Sequence, residues 1–198
     1  MCEFQSGIRT GLMIAAIVAA MCFGANAGAQ TAGAPATAGS VQAPADLAKT
    51  FDDALSDVEK LMVGVAEKMP ADKYGFAPTA GEFKGVRTFA EQVDHITAAN
   101  YGLYSGFGID KPTVDRAALG KLTNKEDVIK ALKDSFAYAH KATLTITPEN
   151  AFQPMMMFGR PGSRVAIAIH SVGHTEDIYG QLVEYMRMNG VVPPASAR

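Results

Sequence analysis

From Asp46 onward the apolar residues recur at three- and four-residue steps, which is the period of an amphipathic helix. Asp46 to Met69 carries Leu47, Phe51, Leu55, Val58, Leu61, Met62 and Val65 on one stripe, and Pro70 closes it. A second helix opens at Thr88, whose spacing to Glu91 fits a capping box, and runs through Phe89, Val93, Ile96 and Leu103 to Gly106 and Gly108. The same spacing at Thr123 and Glu126 opens a third, with Val128, Leu132, Phe136, Ala139 and Leu144, ending near Ile146. The fourth starts near Ser163 or Arg164 and continues to about Asn189, where Gly190 and then Pro193-Pro194 stop it. It is apolar along two lines, Val165, Ala168, Val172, Tyr179, Val183, Met186 and Ile167, His170, His174, Ile178, Gln181, Tyr185. A helix of that kind is expected at the centre of a bundle, with its histidine line facing a cavity.

Between these helices lie two connections of distinct character. Tyr74-Gly-Phe-Ala-Pro78 to Gly85 is an aromatic loop expected to pack over one end of the bundle. Thr147 to Ser163 is punctuated by Pro and Gly and contains Met155, Met156, Met157 and Phe158, a run that fits no single helical face. It reads as a soft pocket wall or as plain loop packing over the core.

The N-terminal region follows a different pattern. Residues 1–29 read as a secretory signal peptide: Arg9 is the positive element, Leu12 to Phe23 the apolar run, and Ala25-Asn26-Ala27 or Ala27-Gly28-Ala29 the cleavage signal. The apolar run is too short for a spanning helix, so no stable membrane span is expected after cleavage. Cys22 follows Met21 rather than a small residue, which argues against a lipid-anchored cysteine. Residues 30–45, rich in Ala, Gly, Thr and Pro, read as a flexible linker, and 46–196 as one helical domain. About 155 residues suit a single core. The protein is therefore expected to be exported, periplasmic or secreted.

Export changes the available chemistry. Cys2 and Cys22 are the only cysteines and both fall in the segment to be removed, so the mature chain has no thiol for a disulfide, a nucleophile or a metal. The full chain carries 18 Lys and Arg against 20 Asp and Glu, and removing Arg9 and Glu3 leaves the formal charge at −2. That balance excludes a nucleic-acid partner of the usual basic kind.

Four histidines remain as the candidate chemistry. His170 and His174, at i and i+4, lie on one face of the last helix, where two imidazoles can hold one ion. Ser171 stands where a metalloprotease helix would carry its glutamate base. A catalytic site takes three protein ligands, so a third must come from elsewhere. His95, near the edge of the apolar stripe of the second helix, and His140, beside that of the third, are both candidates. Glu91, Glu176, Asp177 and Gln181 are further candidates for supporting or proton-handling roles, each with an alternative as a cap, a solvated face or packing.

With these residues in view the chain resembles the DinB-like (DinB/YfiT-like) family of four-helix-bundle metalloproteins over nearly all of Asp46 to Ser196. The resemblance is carried by Arg87-Thr-Phe-Ala-Glu-Gln-Val-Asp-His95, by His170 to Gln181, and by the ending Arg187, Gly190, Pro193, Pro194. It implies an all-α four-helix bundle. It also implies a divalent transition metal, Zn or Ni first with Mn or Fe as alternatives, held by His95, His170 and His174. The activities it implies are thiol transfer and thiol-dependent isomerisation of small organic acids; an ion so held would activate water or a thiol, so the reaction expected is metal-dependent hydrolysis or thiol transfer on a small molecule. An oxidising compartment holds little reduced thiol, which counts against thiol transfer. Two other readings stay open: a non-catalytic metal or small-ligand binder, and a metal-free domain with hydrogen-bonded histidines. A homodimer through helix faces is compatible with all of them.

Overall fold

In the computed structural model the described residues are 46–110 and 113–197, so the expected leader and linker lie outside them. Four long helices form the body: α1 (Leu47–Lys68), α2 (Phe89–Leu103), α4 (Lys125–Thr143) and α5 (Arg164–Met188). A one-turn helix, α3 (Arg116–Leu119), lies in the connection from α2 to α4. α2 packs on α4 and α5, and α1 packs on the same two, which closes an all-α four-helix bundle. Among the described residues no helix is long and apolar enough to cross a membrane.

Local chemistry sets the helix ends. Asp46 caps α1 by accepting from the Ala48 and Lys49 amides, and the expected capping box of α2 is complete, with Glu91 Oε2 accepting from the Thr88 amide at 2.7 Å. α4 begins one residue later than its sequence spacing predicts, because the Asn124 side chain rather than Thr123 accepts from the Asp127 amide at 3.2 Å. Lys125 reaches back from α4 to the Glu67 and Met69 carbonyls at 2.7 and 2.8 Å, satisfying the open end of α1. Gly190, at φ +70, ends α5 in the left-handed conformation, and the Val191 amide returns to the Met186 carbonyl.

Leu55, Met62, Val65, Phe89, Val93, Ile96, Leu132, Phe136, Ile167, Leu182 and Met186 make the centre of the core. The two apolar lines expected on α5 merge into one broad face whose middle is polar: Ser171 and Thr175 are buried, and the Thr175 hydroxyl donates to the Ser171 carbonyl at 2.8 Å. The helix backbone accepts the Thr175 proton, which lets that hydroxyl be buried there. The aromatic loop covers one end of the bundle, as expected: Tyr74 is buried and donates to the Ala66 carbonyl, while Phe76 and Tyr74 carbonyls accept the first free amides of α2.

The methionine run is a strand. β1 (Pro154–Met157) and β2 (Arg160–Ser163) form an antiparallel hairpin in the register Pro154↔Ser163 to Met157↔Arg160. The two-residue period of a strand separates the methionines: Met157 is buried and Met155 half-buried, while Met156 points out. Three consecutive methionines thus fit a hairpin that no helical face could accommodate. Gly106 lets it close down, since a Cβ there would sit 3.0 Å from the Met155 methyl.

His140 does not join the other histidines. Its Nδ1 lies 2.6 Å from Asp52 Oδ1 and its Nε2 3.0 Å from Glu59 Oε2, so both ring nitrogens serve a clamp between α4 and α1. A ring used on both sides by carboxylates has no nitrogen left for an ion, which removes the rival third ligand. Burial opposes the charged ring, but the hydrogen bonds and charges of Asp52 and Glu59 outweigh it and raise the pKa. A raised histidine pKa contributes stability that is fully present below the unfolded value of about 6.5 and lost as pH rises through the folded value. Chemical denaturation of wild type and His140→Gln across pH 5.5 to 9 is therefore expected to show a wild-type advantage on the order of 1–2 kcal/mol at the acid end that shrinks above neutrality. Parallel profiles would show that the ring is not held as a cation.

Candidate metal centre

The site lies on the seam between α2 and α5, which run antiparallel. Three cross-helix contacts mark the seam in order: the Tyr185 hydroxyl donates to the Arg87 carbonyl at 3.1 Å, Gln92 Nε2 donates to Gln181 Oε1 at 2.7 Å, and His95 Nε2 meets His174 Nε2 at 3.0 Å. The side chains of Gln92 and Gln181 pin the two helices about one turn from His95 and about two turns from His174. The imidazoles meet edge to face, with ring centroids 4.9 Å apart and planes at 87°.

His170 is next in line and lies beside the pair without a hydrogen bond to it. Its ring stacks parallel to His174, at 7° and 5.8 Å between centroids, and its other neighbour is Phe158. The structure therefore brings His95 and His174 together and leaves His170 one turn away with its ring aligned. Among the described residues no three His, Cys, Asp or Glu side chains form a metal-ligand group.

The pair itself has the dimensions of two ligands. Nitrogen atoms 3.0 Å apart subtend about 90° at an ion about 2.1 Å from each. Both groups are half-buried and have lowered pKa values: burial is the main cause, with Arg87 and the neighbouring imidazole adding to it for His95, and His170 and Arg87 for His174. Asp177 opposes the shift at His174. The lowered values favour the neutral imidazole, which is also the form that ligates metals. Without an ion the same contact is a single hydrogen bond, one ring donating and the other accepting.

Beside His95 is a cavity of about 370 Å³ lined by Arg87, Glu91, Asp94, His95, Ala98 and three residues of the adjoining loops. Asp94 is the unexpected member. It is 3% exposed, neither carboxylate oxygen has a hydrogen-bond partner among the described residues, and burial, aided by the charge of Glu91, pushes its pKa up to about 7. A larger cavity of about 760 Å³ lies between α2 and α4, against Tyr101, Asp134, Tyr138 and Lys141. None of the histidines lines it.

No family model matches the sequence, and no curated protein does. Among solved structures, the chain is similar to a DinB-like protein from Bacillus cereus, with 16% identity and a TM-score of 0.63 over 74% of this chain and 95% of that one. The fold is DinB-like. The DinB-like bundle gives the remaining sequence candidates ordinary places. Glu91 is a cap at the cavity edge, Glu176 and Asp177 are exposed, and Gln181 is a cross-helix tie. Asp94 and Gln92 have no assigned role in the sequence reading, and Phe158 enters it only with the methionine run. Asp94 had a signal, a charged side chain between Ala90 and Thr97 on the buried stripe of α2, whereas Phe158 depends on a turn that sequence periodicity did not reveal.

A carboxyl with a raised pKa favours the folded state at low pH, and this contribution is lost as pH rises through the folded value. Unfolding of metal-free wild type and Asp94→Asn is thus expected to diverge between pH 4 and 8. The variant should become the more stable above pH 7, by at most about 4 kcal/mol for a three-unit shift. Equal stabilities at pH 8 would show that Asp94 is solvated or paired in solution.

Proposed function

We propose that the protein is an exported metal-dependent hydrolase or transferase acting on a small molecule, with His95, His170 and His174 as ligands of Zn, Ni or a similar divalent ion. The observation that carries this reading is the 3.0 Å approach of His95 Nε2 and His174 Nε2 from two different helices, both as neutral rings. Two facing nitrogens in a half-buried seam suit an ion. His170, already aligned with His174, supplies the third nitrogen by turning about its side-chain bonds.

When bound, such an ion supplies Lewis acidity that lowers the pKa of a coordinated water or thiol towards neutrality. The protein's own groups supply the rest. Arg87, exposed at the cavity, attracts and orients an anionic part of the substrate. The Asp94 carboxyl lines the same cavity as His95 and is the group placed to exchange a proton with a ligand there. The Gln92 and Gln181 side chains keep α2 and α5 from sliding, which fixes the distance between the two imidazoles.

Hydrolysis of p-nitrophenyl acetate and S-conjugation of a low-molecular-weight thiol to 1-chloro-2,4-dinitrobenzene, followed spectrophotometrically with and without chelator, test the reading. Turnover that is lost on chelation, restored by Zn or Ni, and reduced at least about 100-fold in His174→Ala supports it. Metal binding without turnover of any such probe would leave a periplasmic metal binder. Absence of metal binding after reconstitution would reduce the histidine pair to a structural hydrogen bond.

A further inference from the structure

The tip of the hairpin is built against local preference. Phe158 and Gly159 are the two residues between the closing pair Met157 and Arg160, and both have positive φ, +50 and +75. Two positive φ values in a two-residue loop are the signature of a type I′ turn, whose first position suits Asn, Asp or Gly. Phenylalanine there is strained on the order of 1 kcal/mol or more. The side chain gains little burial in return, being 67% exposed. What it does make is one directed contact: its ring stands edge to face on His170 at 5.4 Å between centroids.

We infer that Phe158 is a specificity-determining wall of the histidine site, presenting an exposed aromatic face beside His170 to substrates or ligands that carry an aromatic group. This deepens the metal-centre reading and rests on it. The hairpin is anchored for the purpose at its base. Met157 is buried, Met155 packs on Gly106, and the Val165 amide donates to the Ala151 carbonyl where the hairpin joins α5. A fixed base and a strained, solvent-facing tip place an apolar ring edge to face against His170, whose ring also lies parallel to that of His174. Aromatic pairs gain about 0.5–1.5 kcal/mol beyond area burial, enough for roughly three- to ten-fold discrimination.

The experiment uses the full chain loaded with Co(II) and titrated with 2-phenylethanethiol and with ethanethiol. Binding is read from the thiolate-to-cobalt absorption band as each thiol releases its proton to buffer. Wild type, Phe158→Asn and Phe158→Tyr are compared, and Asn, favoured at this turn position, keeps the hairpin folded, with a melting temperature no lower than wild type. The wall predicts that the preference for the aromatic thiol falls about three- to ten-fold in Phe158→Asn and is kept in Phe158→Tyr. An equal loss for both thiols would make Phe158 a mere support of His170 and overturn the inference, as would an unchanged ratio. A wild-type protein that gives no cobalt spectrum would instead overturn the metal reading, and the wall with it.

Discussion

The separation of α2 and α5 is the constraint on which the site depends. The two facing nitrogens, 3.0 Å apart, belong to residues 79 positions apart in sequence, so their approach depends on how two separate helices are held. It is held by ties on the same seam: the glutamine pair and the Tyr185 hydroxyl on the Arg87 backbone. Opposite the seam, α1 and α4 fill the core and are fastened by Lys125 and by the His140 clamp. One pair of histidines is thus held neutral where the helices meet, while a fourth histidine, pinned between carboxylates, favours the charged form. The same side chain takes opposite electrostatic roles because burial, aided by imidazoles and a cation, disfavours the charge at one seam, whereas two anions outweigh burial at the other.

Much of this was legible in sequence because helices announce themselves through period and caps. Asp46, Thr88 with Glu91, and Gly190 carry local signals that depend on residues three or four positions away, and the structure uses each of them. The i, i+4 pair of His170 and His174 could likewise be placed on one face from spacing alone. What spacing could not decide was which distant histidine meets that face. His95 and His140 sit at comparable edges of their own helices, and only the packing of α1 on α4, bringing Asp52 and Glu59 to His140, separates them.

The less legible parts are those where local and tertiary preferences disagree. Met155 to Met157 carries no strand signature beyond its failure to fit a helix, and its partner strand contains Pro161 and Gly162. The hairpin exists because Met157 and Met155 find burial against the bundle. Asp94 and Phe158 are the sharper conflicts: a carboxyl without partners in the bundle, and a phenylalanine where a turn wants asparagine. Both lie beside the histidine site. Local rules broken at one place in an otherwise consistent fold mark where the chain has been shaped by something besides stability.

The central claim is that His95 and His174 act as one unit across two helices, and thermal unfolding with and without zinc tests it most directly. Zinc bound only to the folded state raises the melting temperature by mass action, so the shift reports the shared site. The account predicts a clear shift for wild type, its loss in His95→Ala and in His174→Ala alike, and no further loss in the double variant. A zinc shift that survives in either single variant, or is absent from wild type, would contradict it.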